Sequence, residues 1–259
     1  MKAKEIFEYL LGGANKVWET TCDKLICGDE NKEVRKAVTC FKLTAEVLDQ
    51  AIEMGADMII THEPTFAVSE DEADATFHDR KKWQMLRDSG IVVYRFHDHA
   101  HDRPKDYIHE GFIRDLGLKI KKKHPNESLG VARYELETPM TPREMGVLIK
   151  ERLGVECVRI VGNLDNPIDH ICLGLGSVGF KQIQYLFDPG CDMFITGEVG
   201  EVRVCEYVRD AYYFGQNKSV MLLGHFSAEF AGMRLLANEL NATLVSTEYV
   251  HSGEVYREV

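Results

Sequence analysis

Seven residues of this chain have the types and placement of metal ligands: His62, Glu63, His97, His101, Glu198, His225 and Glu229. Each follows a short apolar run. Met58-Ile59-Ile60-Thr61 leads into His62-Glu63-Pro64, and Val92 to Phe96 leads into His97-Asp98-His99-Ala100-His101. Met193-Phe194-Ile195-Thr196 leads into Gly197-Glu198, and Val220 to Leu223 leads into Gly224-His225 and on to Glu229. Runs of this length and composition read as strands buried on both faces. In α/β sheets, ligands gather outside the carboxyl ends of such strands. His225 and Glu229 are one helical turn apart and share a face, and His97 and His101 have the same spacing. Mixed imidazole and carboxylate donors suit Zn, Fe, Mn, Co or Ni, and the absence of Cys from the set argues against a thiolate site. The set is larger than one tetrahedral ion needs. A bridged pair of ions ~3.5–4 Å apart would use it, as two-metal hydrolases do. A single His after a strand is more often a structural residue, so the weight rests on the joint placement of the set.

That placement is repeated. Gly55-Ala56-Asp57-Met58-Ile59-Ile60-Thr61-His62-Glu63 aligns without a gap on Gly190-Cys191-Asp192-Met193-Phe194-Ile195-Thr196-Gly197-Glu198, 135 residues later, with six of nine positions identical. The following blocks pair His97 with His225 and His101 with Glu229 at an offset of 128. Two blocks in the same order imply a duplicated α/β half. The expectation is two related lobes, 1–125 and 126–259, with the metal site in the cleft between them and a linker near 121–128.

The elements that must position these residues alternate between strand and helix. Ile6, Phe7, Leu10 and Leu11 mark a helix over 3–12, and residues 22–28 read as a short strand and turn. A strand over 35–41 precedes a helix over 45–54 that Thr44 caps. Residues 65–76 read as an acidic loop, 77–89 as a helix and 91–96 as a strand. A helix over 142–153 starts behind Thr141 with Pro142 in its first turn, between strands over 126–136 and 156–162. Strands over 168–175, 193–196, 219–223 and 243–250 alternate with helices over 180–187, 199–213 and 226–240. This order predicts an α/β architecture with a largely parallel sheet.

Composition narrows the partners. The formal net charge is −11, which disfavours nucleic acid bound through phosphates. The one basic cluster, Lys119 to Lys123, reads as surface. Seven cysteines without a C-x-x-C pair read as reduced thiols of a cytoplasmic protein. No signal-peptide core and no apolar stretch of the ~18 residues that a membrane span needs are present.

Gly174-Leu175-Gly176-Ser177-Val178-Gly179 is a G-x-G-x-x-G between a strand and a helix, the setting of a dinucleotide fingerprint. It is not in the first βα unit of its lobe, so the favoured reading is a glycine turn that permits close backbone approach or holds a phosphate at a helix N-terminus. A nucleotide-binding oxidoreductase is the minority alternative.

Leu43-Thr44-Ala45-Glu46-Val47-Leu48, Gly55 to Pro64, the His97 region, Gly174 to Ser177, Gly190 to Glu198 and Gly224 to Glu229 together resemble the Nif-three-like family of dinuclear metal proteins, also called GTP cyclohydrolase 1 type 2 proteins. The resemblance implies two lobes, two bridged divalent ions, a toroidal homohexamer, and His62, Glu63, His101, His225 and Glu229 as ligands. Three departures stand out. Glu63 occupies a usual His position. His101 occupies a usual Asp position, with Asp102 one residue later. A His often found downstream of Glu198 is missing.

The resulting expectation is a metal-dependent hydrolase of a nucleotide-like or phosphorylated small molecule. Glu63 or Glu198 would act as general base where it is not a ligand, and His97 would orient a ligand or shuttle protons. The alternative is a non-catalytic metal-binding, metal-handling or regulatory protein.

Overall fold

The computed structural model describes residues 1–16, 18–67 and 76–256, the side chains of 125–127 excepted. The acidic loop Ser69 to Asp74 lies outside the described residues. In chain order the elements begin with α1 (Ala3–Leu11), β1 (Lys24–Cys27), β2 (Lys36–Cys40), α2 (Ala45–Glu53), β3 (Met58–Thr61), α3 (Phe77–Ser89), β4 (Val92–Arg95), α4 (Asp98–His101) and α5 (Tyr107–Leu116). They continue with β5 (Ile120–Ser128), β6 (Val131–Met140), α6 (Pro142–Leu153), β7 (Arg159–Gly162), β8 (Ile168–Val178) and α7 (Phe180–Ile183). The last are β9 (Met193–Val199), α8 (Glu201–Tyr213), β10 (Ser219–Leu222), α9 (His225–Thr243) and β11 (Ser246–Tyr249).

Local chemistry sets several boundaries. The Thr44 side chain accepts from the Val47 amide at the start of α2. Thr141 and Glu144 form a reciprocal capping box on α6, with Pro142 behind the cap. Residues 121–128, expected as a linker, lie in β5 and pair antiparallel with β6. The basic cluster is therefore the edge strand of a sheet, where lysines discourage pairing with another chain.

By its contacts the chain forms two compact units, Met1–Tyr107 with Gly232–Gly253, and Ile108–Ala231 with the chain from Glu254 onward. Compared with the expected lobes 1–125 and 126–259, the end of α9 and β11 join the first unit, because β11 pairs parallel with β2.

The first unit's sheet has the order β1-β4-β3-β2-β11, all parallel except β1 against β4. The second has the order β5-β6-β8-β9-β10-β7, in which only β8, β9 and β10 run parallel. The second sheet is thus more mixed than expected, because β5 and β6 form a hairpin and β7 an antiparallel edge. Both sheets nonetheless share one path: three parallel strands (β2-β3-β4 and β8-β9-β10), the third flanked by an antiparallel strand (β1 and β7).

The motif residues do matching work in the two units. The Asp57 carboxylate accepts from the Arg35 and Lys36 amides at 2.9 and 3.3 Å, and the Asp192 carboxylate accepts from the His170 amide at 3.2 Å. Asp57 O accepts from Val92 N, and Asp192 O from Ser219 N, both at 3.0 Å. Each aspartate therefore pins the start of its neighbouring strands. The register puts Val92 opposite Met58 and Ser219 opposite Met193, an offset of 219 − 92 = 127 rather than 128. The extra residue is Gly224, in the left-handed region at φ +88°, just before His225.

Both middle strands are covered on both faces, as their composition requires. Met58 and Ile60 pack with Ile6, Leu10 and Leu236, whereas Ile59 packs with Val38, Leu48 and Trp83. Met193 and Ile195 pack with Met145 and Ile149, whereas Phe194 packs with Val204 and Val208. Burying each such side chain contributes about 1.5–3 kcal/mol, which makes these strands the rigid supports of the residues that follow them.

Candidate metal centre

In the first unit, β3 delivers His62 and Glu63. The turn is fixed by its backbone: Glu63 N donates to Phe41 O at 2.8 Å. The Thr61 hydroxyl accepts from Leu43 N at 3.1 Å and donates to Glu63 O at 3.2 Å. The His62 ring is fully buried, and its Nδ1 lies 3.0 Å from Phe96 O. A carbonyl can only accept, so Nδ1 carries a proton and donates it to Phe96 O.

The segment after β4 forms the single turn α4, in keeping with the one-turn spacing of His97 and His101. His97 precedes it and His101 ends it. Its N-terminal amides close on Asp23, whose carboxylate accepts from the backbone N–H groups of His97, Asp98 and His99. The same carboxylate meets His99 Nδ1 at 2.6 Å. An anion satisfies the unpaired amides and opposes the dipole at such a terminus. Asp98 accepts from Thr21 Oγ1 at 2.9 Å and Cys22 N at 3.0 Å. Its hydrogen bond from His97 holds its carboxyl well below the usual carboxylate range, against the opposing effect of burial.

Three imidazoles assemble here. His62 and His97 stack with centroids 4.5 Å apart, and His101 stands edge-on to both at 5.3 and 5.2 Å. One ligating atom from each lies within 4.8 Å of the others. His97 Nδ1 is 3.0 Å from Asp98 Oδ1, and His101 Nδ1 is 3.0 Å from Asp106 Oδ2. Glu63 Oε1 is 3.7 Å from His97 Nε2. Asp102 is turned elsewhere, accepting from Trp18 Nε1 at 2.9 Å and Asn15 Nδ2 at 3.4 Å. Between His101 and Asp102, it is His101 that joins the cluster.

In the second unit, His225 opens α9. Its Nδ1 lies 3.0 Å from Glu198 Oε1 and its Nε2 3.3 Å from Glu229 Oε2. Glu229 is 2% exposed. Glu198 stands in β9, which runs beyond its expected end at Thr196 and pairs Glu198 with Ser177.

The glycine motif explains itself here. Gly174, Gly176 and Val178 all lie within β8, so the motif is not the strand-to-helix turn of a dinucleotide fingerprint. Gly176 has φ +104°, and a Cβ on it would overlap Glu229 Oε1 and come within 3.3 Å of His225 Nε2. A Cβ on Gly197 would lie 2.6 Å from Gly176 O and 2.9 Å from His225 Cα. The glycines make room for the His225–Glu229 pair.

The donor set fits a divalent transition ion. Each of His62, His97, His101 and His225 has Nδ1 against an oxygen, the outer contact that orients a metal-ligating histidine. Sequence reasoning missed Asp23, Asp98 and Asp106. Asp23 acts on residues 74 to 76 positions away, a separation that local pattern does not reveal.

Fold and donor set together define an α/β protein with groups of His and Glu at strand ends that could hold a metal ion. The DUF34/NIF3 (NGG1p interacting factor 3) family model matches residues 1–254, and the chain belongs to that family. The GTP cyclohydrolase 1 type 2 homolog of Clostridium perfringens is 30% identical over 239 residues, covering 89% of this chain and 87% of that one. Among solved structures, protein ybgI, described as of unknown function, superposes with a TM-score of 0.81 at 23% identity over 98% of this chain and 99% of that one. Staphylococcus aureus protein SA1388 does so with a TM-score of 0.76 at 20% identity over 100% and 99%.

Proposed function

We propose that this chain is a dinuclear metal-dependent hydrolase of a nucleotide-like or phosphorylated small molecule, with His62, Glu63, His101, His225 and Glu229 as ligands. The observation that carries this reading is the oxygen contact at Nδ1 of every histidine in the set. Two divalent ions, drawn from Zn, Fe, Mn, Co or Ni, would supply Lewis acidity and a nucleophile at neutral pH. Where Glu63 is not a ligand it would act as general base, its Oε1 lying 3.7 Å from His97 Nε2. Glu198 fixes the His225 ring and, being half-exposed, can pass protons to solvent.

A cavity of about 350 Å³ in the second unit supports a small substrate. Arg159, Leu222, Gly224, Glu254 and Tyr256 line it, so it adjoins His225 in sequence and offers a guanidinium to an anionic group. The relatives' shared name points to the same substrate class. Exposed Val202, Tyr213 and Phe214 on and after α8 support a homo-oligomer, which the resemblance makes a hexamer. No helix among the described residues is long and apolar enough to cross a membrane. All seven cysteines are free, in keeping with a cytoplasmic setting.

The test is turnover of guanine nucleotides and phosphodiesters by metal-free protein reloaded with each ion. Metal-dependent product release that His225→Ala abolishes supports the hydrolase. Metal bound with no turnover supports the second reading, a metal-handling protein, which the burial of His62 and His101 favours.

A further inference from the structure

We propose that Lys82 is a positioning residue for the proposed ligands His62 and Glu63: from α3 it clamps the turn that presents them at the end of β3. This rests on the metal-binding reading above and deepens it with a residue that acts only through backbone carbonyls.

Four consecutive carbonyls of that turn accept from side chains. His62 O accepts from Arg95 Nε at 3.2 Å and Glu63 O from the Thr61 hydroxyl at 3.2 Å. Pro64 O accepts from Lys42 Nζ and Thr65 O from Lys82 Nζ, both at 2.6 Å. Three of the four donors are cationic, and they come from three places: just after β2, within α3 and at the end of β4. Thr65 is fully buried, and among the described residues no backbone amide bonds to Pro64 O or Thr65 O. A buried carbonyl needs a donor, and a charged donor makes a bond roughly twice as strong as a neutral one. The side chains therefore do for this turn what the neighbouring strands do for β3.

Lys82 joins two segments. Its ammonium donates to Leu43 O at 3.0 Å as well as to Thr65 O, and so ties the connection between β2 and α2 to the turn after β3. Leu43 N donates to the Thr61 hydroxyl, so both polar backbone groups of Leu43 are held against the same turn. The next residue of α3 adds a second hold: Trp83 stacks on Phe66 with ring centroids 4.5 Å apart. The helix thus grips Thr65 through a charge and Phe66 through a ring. Lys82 is half-buried. Burial, and then the charge of Lys42, hold its ammonium below its ordinary value. An apolar side chain would pack here without that electrostatic cost, but it would leave two carbonyls without this donor. The ammonium is kept for the turn that it holds.

The experiment titrates the metal-free full chain with Co(II), whose visible spectrum reports coordination and whose titration gives affinity. The wild type is compared with Lys82→Met, Lys82→Gln, Lys82→Arg, Lys81→Met and Asp57→Ala, each below its own melting temperature. Lys82→Met fills similar space without a donor. It should weaken Co(II) by roughly 10–100-fold, the range for loss of an outer contact, and change the visible spectrum. Lys82→Gln, which keeps one neutral donor, is the milder variant and reads the same change should Lys82→Met not fold. Lys82→Arg keeps a cationic donor and should recover most of the affinity and the wild-type spectrum. Lys81→Met, whose exposed lysine lies over the Phe77 ring, should change neither. Asp57→Ala loosens the same unit away from the metal centre, and should lower the melting temperature with spectrum and affinity kept. A wild-type spectrum and affinity in Lys82→Met and Lys82→Gln would overturn the proposal and leave the metal-binding reading standing. An equal loss in Asp57→Ala would also overturn it, since general loosening would then suffice. No Co(II) bound by the wild type would overturn both.

Discussion

Gly176 gives Glu229 its place: the glycine backbone at φ +104° lies where any Cβ would collide with the Glu229 carboxylate. Gly176→Ala meets two penalties, a left-handed backbone that costs roughly 1–3 kcal/mol and a displaced Glu229 carboxylate. Calorimetric metal titration beside a thermal melt should show both weakened affinity and a lower melting temperature. Gly215→Ala, also in the left-handed region at φ +85° but with nothing within 4 Å of an added Cβ, is the matched control and should lower the melting temperature while leaving metal affinity unchanged.

Asp23 makes a different kind of contribution. It touches no ring of the three-imidazole cluster, yet it holds the turn that carries two of them. Asp23→Ala leaves three amides near His97 without their acceptor, at about 1–3 kcal/mol for each that stays buried. Hydrogen exchange in the metal-free protein should show residues 97–99 opening faster, while β3 keeps its protection. Unchanged exchange at 97–99 would show that the turn holds itself.

Asp57 provides a pH test away from the metal centre. Burial pushes its carboxyl up, but amide bonds from Arg35 and Lys36 and the charge of Lys32 outweigh burial and set it below its ordinary value of 3.8. A lowered folded value means stability present above the unfolded value and lost as pH falls through the folded one. Asp57→Ala should therefore be less stable than the wild type at pH 7, by roughly 1–3 kcal/mol. The gap in denaturation midpoint should narrow progressively below about pH 4.

Thiol reactivity reads out burial. Cys157 is exposed, whereas Cys40, Cys172, Cys191 and Cys205 are buried. Burial pushes the Cys40 and Cys22 thiols up to about 12, which leaves little thiolate at neutral pH. One fast equivalent of a maleimide, mapped to Cys157 by mass spectrometry, is expected from the native protein. Fast labelling of Cys40 would contradict the buried position of β2.

The strands, with the His and Glu residues at their ends, were legible because a buried strand writes itself as an apolar run, and because the same run occurs twice. Thr44, Thr141 and Pro142 were legible because capping chemistry is local. Three features were not. The one-residue shift at Gly224 depends on hydrogen-bond register, which an ungapped comparison of apolar residues does not sense. The glycines of β8 look like a phosphate-binding turn, because sequence shows that a Cβ is missing but not which neighbour needs the space. Asp23 was passed over as part of a short strand and turn, since its partners lie on the far side of β2, β3 and β4 in the chain. The exchange of Asp for His at position 101 was visible, but its result, a third imidazole beside His62 and His97, required the fold.

The most direct measurement is the metal content of protein purified without chelator or affinity-tag metal, by elemental analysis. The wild type should hold about two ions per chain, and both His225→Ala/Glu229→Ala and His62→Ala/His101→Ala should hold fewer. A wild type that holds none, before and after reconstitution with Zn, Co, Mn, Fe and Ni, would contradict the metal centre and leave these histidines and glutamates with a structural role alone.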